Sequence, residues 1–460
     1  MTASLFERTL ARPAMLEVFA DASLVEAMLA FELALAEAES AAGAIAESAV
    51  APIAAACRSS FDVEAMVAEA RPAGSFAIPL VKRLTARVAE RDPAAAGFVH
   101  WGSTSQDMID TAMALVTRRA LALIDDELVR LTAALLVLAR RHVATPILAR
   151  TLMQPAQVIS FGFKLVAWTQ PLVRARSRLA VAGRVALKLQ LGGAVGTLAT
   201  LGDAGPAVAR GVADRLGLAL GDGAWHTQRD EWVGLGCEVA LLCGSLGKIG
   251  RDLALLAQGE VGEVAEPAGA GRGGSSAMPQ KRNPVAAMIA IAAAARAPHH
   301  AAALLSAMGQ EHERGLGGWQ AELAEWPSLF ITAHGSLAAL ADAAAGLEVD
   351  TARMRANIER QHGAVFSEAA AAVVAGTVGK SAAHALLARL AAQAGAGAGG
   401  GELQALLIAA LAHDPALASV DTQALAAAFD IDAAARRAGT IAATQLDLLE
   451  HRSEITGDER

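Results

Sequence analysis

The chain of 460 residues contains no tyrosine, and its aromatic fraction is only 4%. With so few rings, the apolar content must come from alanine and leucine, as expected of tightly packed helices. A basic excess is also missing: Lys and Arg number 39 against 47 Asp and Glu, for a net charge of -8. The basic residues are scattered among acidic ones, so no stripe marks a nucleic-acid surface, and a small molecule is the expected partner. Cysteine is scarce. Cys57, Cys237 and Cys243 form no Cys-x-x-Cys pair, which argues against a disulfide framework or a thiolate metal knot. Cys237 and Cys243 lie in an apolar helical pattern and read as small buried hydrophobes. Uncharged stretches end at Arg296 and at Lys380, short of the ~18 apolar residues of a spanning helix. The N-terminus has no basic, apolar, small-residue succession. The expectation is a cytoplasmic protein with no membrane and no nucleic-acid partner.

What the chain does have is alanine and leucine, which give a hydrophobic fraction of 54%. Ile124, Leu128, Leu131, Leu135 and Leu138 recur at steps of three and four. So do Leu235, Val239, Leu242, Leu246, Ile249, Leu253 and Leu256. Such patterns predict long helices packed side by side at shallow angles. A third helical segment is expected over 157–191, interrupted at Pro171. The fold class read from this is all-α: a helical cap over 1–110, a central long-helix bundle over 111–345 and a small helical domain over 346–460. In the cap, the run 24–41 places Leu29, Leu33 and Ala36 on one face, and its acids Glu32, Glu37 and Glu39 read as solvated.

Three polar stretches interrupt this pattern. Gly273-Gly-Ser-Ser-Ala-Met-Pro-Gln-Lys-Arg-Asn-Pro284 is a glycine-freed loop feeding an alanine-rich helix that Pro284 opens. Backbone N–H groups, a lysine and an amide would suit an anion there, although a surface loop with a capping serine has the same outline. His100-Trp-Gly-Ser-Thr-Ser-Gln-Asp107 precedes a long helical pattern, where Thr104, Ser105 and Gln106 either face a carboxylate or form an N-cap box. Arg150-Thr-Leu-Met-Gln154 leads into the third segment.

Taken in chain order, His100–Asp107, Arg150–Gln154 and Gly273–Pro284 resemble the three signatures of the aspartase/fumarase superfamily, and more particularly its carboxymuconate cycloisomerase branch. The resemblance runs from the cap to about residue 370. It implies an all-α homotetramer with active sites shared between chains, a polycarboxylate substrate and no cofactor or metal. The implied chemistry is proton transfer beside a carboxylate coupled to making or breaking a bond at the neighbouring carbon. On the same basis Ser275 carries the proton, and Lys281 and Asn283 hold the carboxylate that accumulates charge. His100 positions or neutralises a substrate carboxylate, while Thr104, Ser105, Gln106, Thr151, Gln154, Ser276, Met278 and Arg314 bind substrate.

One position departs from the pattern. Many superfamily members read Thr-His in the second signature, where this chain has Thr151-Leu152. Losing a general acid should cost ~100-fold or more when the leaving group is an amine or hydroxide. A carboxylate, with a conjugate-acid pKa near 4, needs no such proton. The leucine therefore favours opening or closing a lactone over hydration, deamination or release of fumarate from an adduct such as adenylosuccinate.

Further clusters are left open. In Trp225-His-Thr-Gln-Arg-Asp230, Asp230 reads as a helix cap, and His226 and Arg229 as either structural groups or substrate contacts. His312 and Arg314 precede a glycine-relieved turn, and the arginine would suit a second carboxylate. A helix start is expected at 361–368, and the Ala-Gly run 394–401 reads as a flexible loop.

Overall fold

A computed structural model describes residues 4–269, 273–274, 278, 280–394 and 402–458, the last seven without their side chains. Eighteen α-helices and four short strands make up its regular structure among the described residues. The longest helices are Ser105–Arg141, Asp230–Ala257, Gly318–Ala345, Ile431–Asp458, Phe161–Ala186 and Val285–Ala307. Every leucine, isoleucine and valine of the two periodic runs named above is buried. The all-α expectation holds.

Contacts group the chain into two compact units. The first comprises 1–128, 175–247 and 289–338; the second comprises 129–174, 248–288 and 339–460. In the first unit the few aromatics are concentrated. Trp225, Trp232, Trp326, Phe330 and Phe19 form one succession of ring contacts, with centroids 5.7, 4.0, 5.2 and 6.0 Å apart. Trp326 also donates its indole N–H to Thr117 Oγ1 at 2.9 Å, so its one polar atom is satisfied in an otherwise apolar place.

The second unit has two apolar clusters. One gathers Ala370, Val374, Leu387, Leu403, Leu407 and Leu425 of the C-terminal helices. The other packs Leu148 and Val158 of a β-hairpin against Ile358, Val365, Phe366 and Ala435. The low-complexity stretch 395–401 lies outside the described residues.

Three expectations need correction. Residues 157–160 are strand rather than helix: Pro146–Thr151 and Gln154–Ser160 pair antiparallel, and the helix runs from Phe161 to Ala186 with Pro171 inside it. Ile147 and Leu148 are adjacent and both buried, and only Val158 and Ser160 of the second strand alternate, a signal too brief to compete with the helical one beside it. Glu32 and Glu39 are not solvated; they are 2% and 0% exposed. They fall on the stripe Val25, Leu29, Glu32, Ala36, Glu39, whose steps of four and three follow the buried face of helix Asp21–Ala41. Finally, Asp230–Ala257, Val285–Ala307 and Gly318–Ala345 are long and apolar enough to cross a membrane by length and composition, despite Arg296 in the second. Within this chain, 56%, 22% and 78% of their apolar windows are buried.

Of the cysteines, all free, Cys243 is buried while Cys57 and Cys237 are partly exposed.

Candidate active site

In the first unit the site is built around Asp107, in the first turn of helix Ser105–Arg141 and fully buried. Its Oδ1 accepts from Gly192 N at 3.0 Å and lies 2.8 Å from His226 Nε2. Its Oδ2 accepts from Gly193 N at 2.8 Å and Thr104 N at 3.0 Å. Two consecutive N–H groups converge on one carboxylate because the backbone at Gly193 takes φ of 69°; a side chain there would also meet the Gly102 carbonyl at 2.9 Å. Asp107 therefore ties the Ser105 helix start, the 192–193 turn and His226 together, and no lone pair is left for a substrate donor.

One turn on, Asp110 holds a second buried network. It accepts from Gln106 Nε2 and Gln190 Nε2, each at 3.2 Å, from Arg229 Nη1 at 2.9 Å and from Trp319 Nε1 at 2.9 Å. Arg229 also forks onto Glu322 and lies over the Trp225 ring at 4.4 Å. Burial lowers the affinity of the guanidinium for its proton, but the charges of Asp110 and Glu322 prevail, so it is held more firmly protonated than usual. Burial likewise lifts the Glu322 carboxyl above its ordinary range, against the pull of Arg229. His226, through Nε2, and Arg229 are thus engaged with carboxylates inside the protein.

In front of them stands Arg314, partly exposed, donating through Nη1 to Thr104 Oγ1 at 2.6 Å and through Nε to Gln106 Oε1 at 3.3 Å. Gln106 has both amide protons engaged, on Asp110 and on the His226 carbonyl at 3.0 Å. It orients Arg314 rather than presenting a donor of its own. His100 sits on a left-handed backbone, φ 59°, with Nδ1 2.5 Å from Glu32 Oε1 and 2.9 Å from Ser103 Oγ. Thr104, Ser105, Arg314 and His100 are each partly exposed. Arg314 beside the Thr104 hydroxyl, and His100 apart from it, are each suited to an anionic group. His312 is exposed, with φ 50°.

The remaining sequence-predicted residues belong to the second unit. Thr151 pairs with Gln154, so Leu152 and Met153 alone form the hairpin turn, both left-handed with φ of 50° and 67°. All four are exposed, Leu152 by 97%. The base of the hairpin is fixed where Arg150 forks onto buried Glu263 at 3.0 and 2.8 Å, and Asn357 Nδ2 adds a bond to Glu263 at 2.7 Å.

In the glycine loop, Asn283 closes the base. Its N–H donates to the Gly273 carbonyl at 2.8 Å and its Nδ2 lies 3.4 Å from the Gly274 carbonyl. Lys281 is exposed, its N–H bonded to the Met278 carbonyl at 3.0 Å. Ser275 and Ser276 lie outside the described residues. The helix after this loop begins at Val285, one residue later than expected, and two N–H groups of its first turn are already engaged. Glu266 accepts there from Ala286 N at 3.0 Å and from Ala287 N at 2.9 Å. An anion bound at this loop gains little from the helix end, which already carries a carboxylate; Lys281 and Asn283 are the side-chain donors it meets among the described residues.

Sequence reasoning missed Glu32, Asp110, Glu263, Glu266 and Glu322. For Glu32 a signal existed, its place in the buried stripe. Glu263 and Glu266 lie in a stretch without periodicity, and nothing marks them.

Comparison with known proteins agrees with this architecture. A family model described as lyase matches residues 7–298. A 3-carboxy-cis,cis-muconate cycloisomerase of Bradyrhizobium diazoefficiens is 48% identical over 368 residues, 80% of this chain and 82% of its own. A nitrosuccinate lyase of Streptomyces davaonensis is 44% identical over 378 residues, 80% of each chain. Among solved structures, a 3-carboxy-cis,cis-muconate lactonizing enzyme from Pseudomonas putida superposes with a TM-score of 0.89 at 39% identity, covering 98% of this chain and all of its own. The chain belongs to the lyase family of the aspartase/fumarase superfamily.

Proposed function

We propose that this enzyme closes 3-carboxy-cis,cis-muconate to 4-carboxymuconolactone, a step of protocatechuate breakdown by the β-ketoadipate route. The observation that carries the reading is Leu152. A side chain that can neither give nor take a proton stands at the hairpin tip where many superfamily members have histidine. The relatives named as cycloisomerases support the same substrate.

One ionised carboxylate of the substrate adds to the double bond conjugated with another carboxylate, which becomes an aci-carboxylate. Lys281 and Asn283 hold that developing charge. Ser275 delivers the proton to the α carbon, its acidity raised by N–H donors and by the cation beside it. Arg314 with Thr104 and Ser105 grips a second carboxylate, oriented by Gln106, while His100 faces a third. Thr151, Gln154, Ser276 and Met278 complete the binding surface. Addition and protonation are redox-neutral, so the reaction requires no cofactor.

The same reading includes a cytoplasmic homotetramer with shared sites. Exposed Leu152 and Met153 at the hairpin tip, and exposed Val285, Met288 and Leu305 on a helix largely unburied within its own chain, supply apolar surface for such an assembly. A second reading follows from the same leucine: elimination that expels an anion stable without protonation, as the similarity to a nitrosuccinate lyase suggests.

The test is to incubate purified protein with 3-carboxy-cis,cis-muconate and follow loss of the diene absorbance, with Ser275→Ala in parallel. Rapid loss by the wild type alone, with lactone recovered, supports the assignment. Fumarate released from nitrosuccinate or adenylosuccinate, with the muconate untouched, would replace it.

A further inference from the structure

Helix Asp21–Ala41 contributes a carboxylate to the site from a region that holds none of the three signatures. Glu32 is 2% exposed, and its Oε1 lies 2.5 Å from His100 Nδ1, a contact spanning 68 residues of chain. His100 is held for this contact in a left-handed backbone conformation, uncommon outside glycine. Ser103 Oγ approaches the same nitrogen at 2.9 Å and also donates to the His100 carbonyl at 3.3 Å, closing the local turn around the ring. Nδ1 thus has two partners. Nε2 has no partner among the described residues, while the side chain keeps 15% of its surface open.

We propose that Glu32 is the positioning residue for His100: its buried carboxylate accepts a hydrogen bond from Nδ1–H, fixes the rotation of the ring, pairs with the imidazolium, and so presents Nε2–H as a cationic donor to a substrate carboxylate. This rests on the polycarboxylate reading given above. A carboxylate behind an imidazole selects the tautomer and stabilises the cation, because the ion pair exists only when the ring is doubly protonated.

The charges facing the pair support that role. Burial pulls the His100 ring toward neutrality, but the charge of Glu32, its hydrogen bond and the charge of Asp107 together hold the ring protonated to higher pH than an ordinary histidine. Asp107 has its oxygens engaged by three backbone N–H groups and His226. Glu39, seven residues on along the same face, is pushed up to about 9, first by burial and then by the charge of Glu32. It is therefore neutral at pH 7. The Cys57 thiol, pushed up to about 12 mainly by burial, is neutral as well. Glu32 remains the anion that acts directly on His100.

The experiment compares wild type, Glu32→Gln, Glu32→Asp and His100→Gln. Ring-proton NMR titration of labelled histidine, with the His100 signal assigned by its loss in His100→Gln, needs no substrate. In parallel, kcat/KM for 3-carboxy-cis,cis-muconate is measured against pH. We expect Glu32→Gln to lower the His100 midpoint by about 1 to 3 pH units and to move the alkaline limb of kcat/KM by the same amount, chiefly through KM. Glu32→Asp should recover part of both shifts, and it carries the test should Glu32→Gln fail to fold. In the His100→Gln background, Glu32→Gln should change little further. A uniform fall in rate with limb and midpoint unmoved would show a merely structural carboxylate and overturn the proposal. A shifted midpoint in an enzyme whose wild type does not turn over the muconate supports the pairing and overturns the substrate reading alone.

Discussion

Arg314 donates from Nη1 to the Thr104 hydroxyl at 2.6 Å, and that bond aims the guanidinium. A second bond, to the Gln106 oxygen at 3.3 Å, comes from Nε and leaves the rest of the fork for a ligand. Arg314→Lys keeps the charge but cannot make this pair of bonds and still meet a carboxylate side-on. We expect kcat/KM to fall by about 10- to 100-fold, with most of the change in KM. Steady-state kinetics check it, and an unchanged KM would remove Arg314 from the binding surface.

The hairpin tip separates stability from function. Leu152 and Met153 both occupy the left-handed region, which costs residues with a Cβ of order 1 kcal/mol each, and a two-residue turn of this kind suits Asn-Gly. Replacing the pair by Asn-Gly should stabilise the fold by roughly 1 kcal/mol while lowering cycloisomerase turnover, because the apolar tip is lost. Urea denaturation together with the diene assay tests both halves. Leu152→His alone should give no gain in lactonisation, since the carboxylate needs no general acid.

Glu39 makes a prediction about pH. Its carboxyl is fully buried, neither oxygen has a hydrogen-bond partner among the described residues, and burial lifts it to about 9. The folded state therefore keeps a proton that the unfolded chain releases, so stability declines as pH rises between about 4.5 and about 9. By pH 7 the decline from this group is roughly 3 kcal/mol. Glu39→Met, of similar length and placed on an apolar stripe, should flatten that slope and raise the thermal midpoint at pH 8. Thermal melts at several pH values would show it.

The bundle was legible because Leu235, Val239 and their successors repeat a single spacing over 22 residues, and burial obeys such a pattern whatever else the chain does. The polar stretches were legible as chemistry, but the division of labour within them was not. Asp107 and Gln106 sit beside Thr104 in sequence and look equivalent to it, yet only the fold shows that their bonds are directed inward. The hairpin hid because its turn is Leu-Met, without glycine or asparagine. Glu32 was misread because charge outweighed position: the stripe from Val25 to Glu39 argued for burial, and a buried acid is expected only when a partner is known. Its partner is 68 residues away, beyond any local pattern.

Glu266, seated on the N–H groups of the second and third residues of helix Val285–Ala307, bears on inhibitor design. An analogue that mimics the charged intermediate by directing a phosphonate or nitronate at that helix end would meet another anion and be repelled. On the proposed roles of Lys281 and Asn283, the orientation to design for turns the anionic end toward them and leaves a neutral or hydrogen-bond-donating group facing the glutamate.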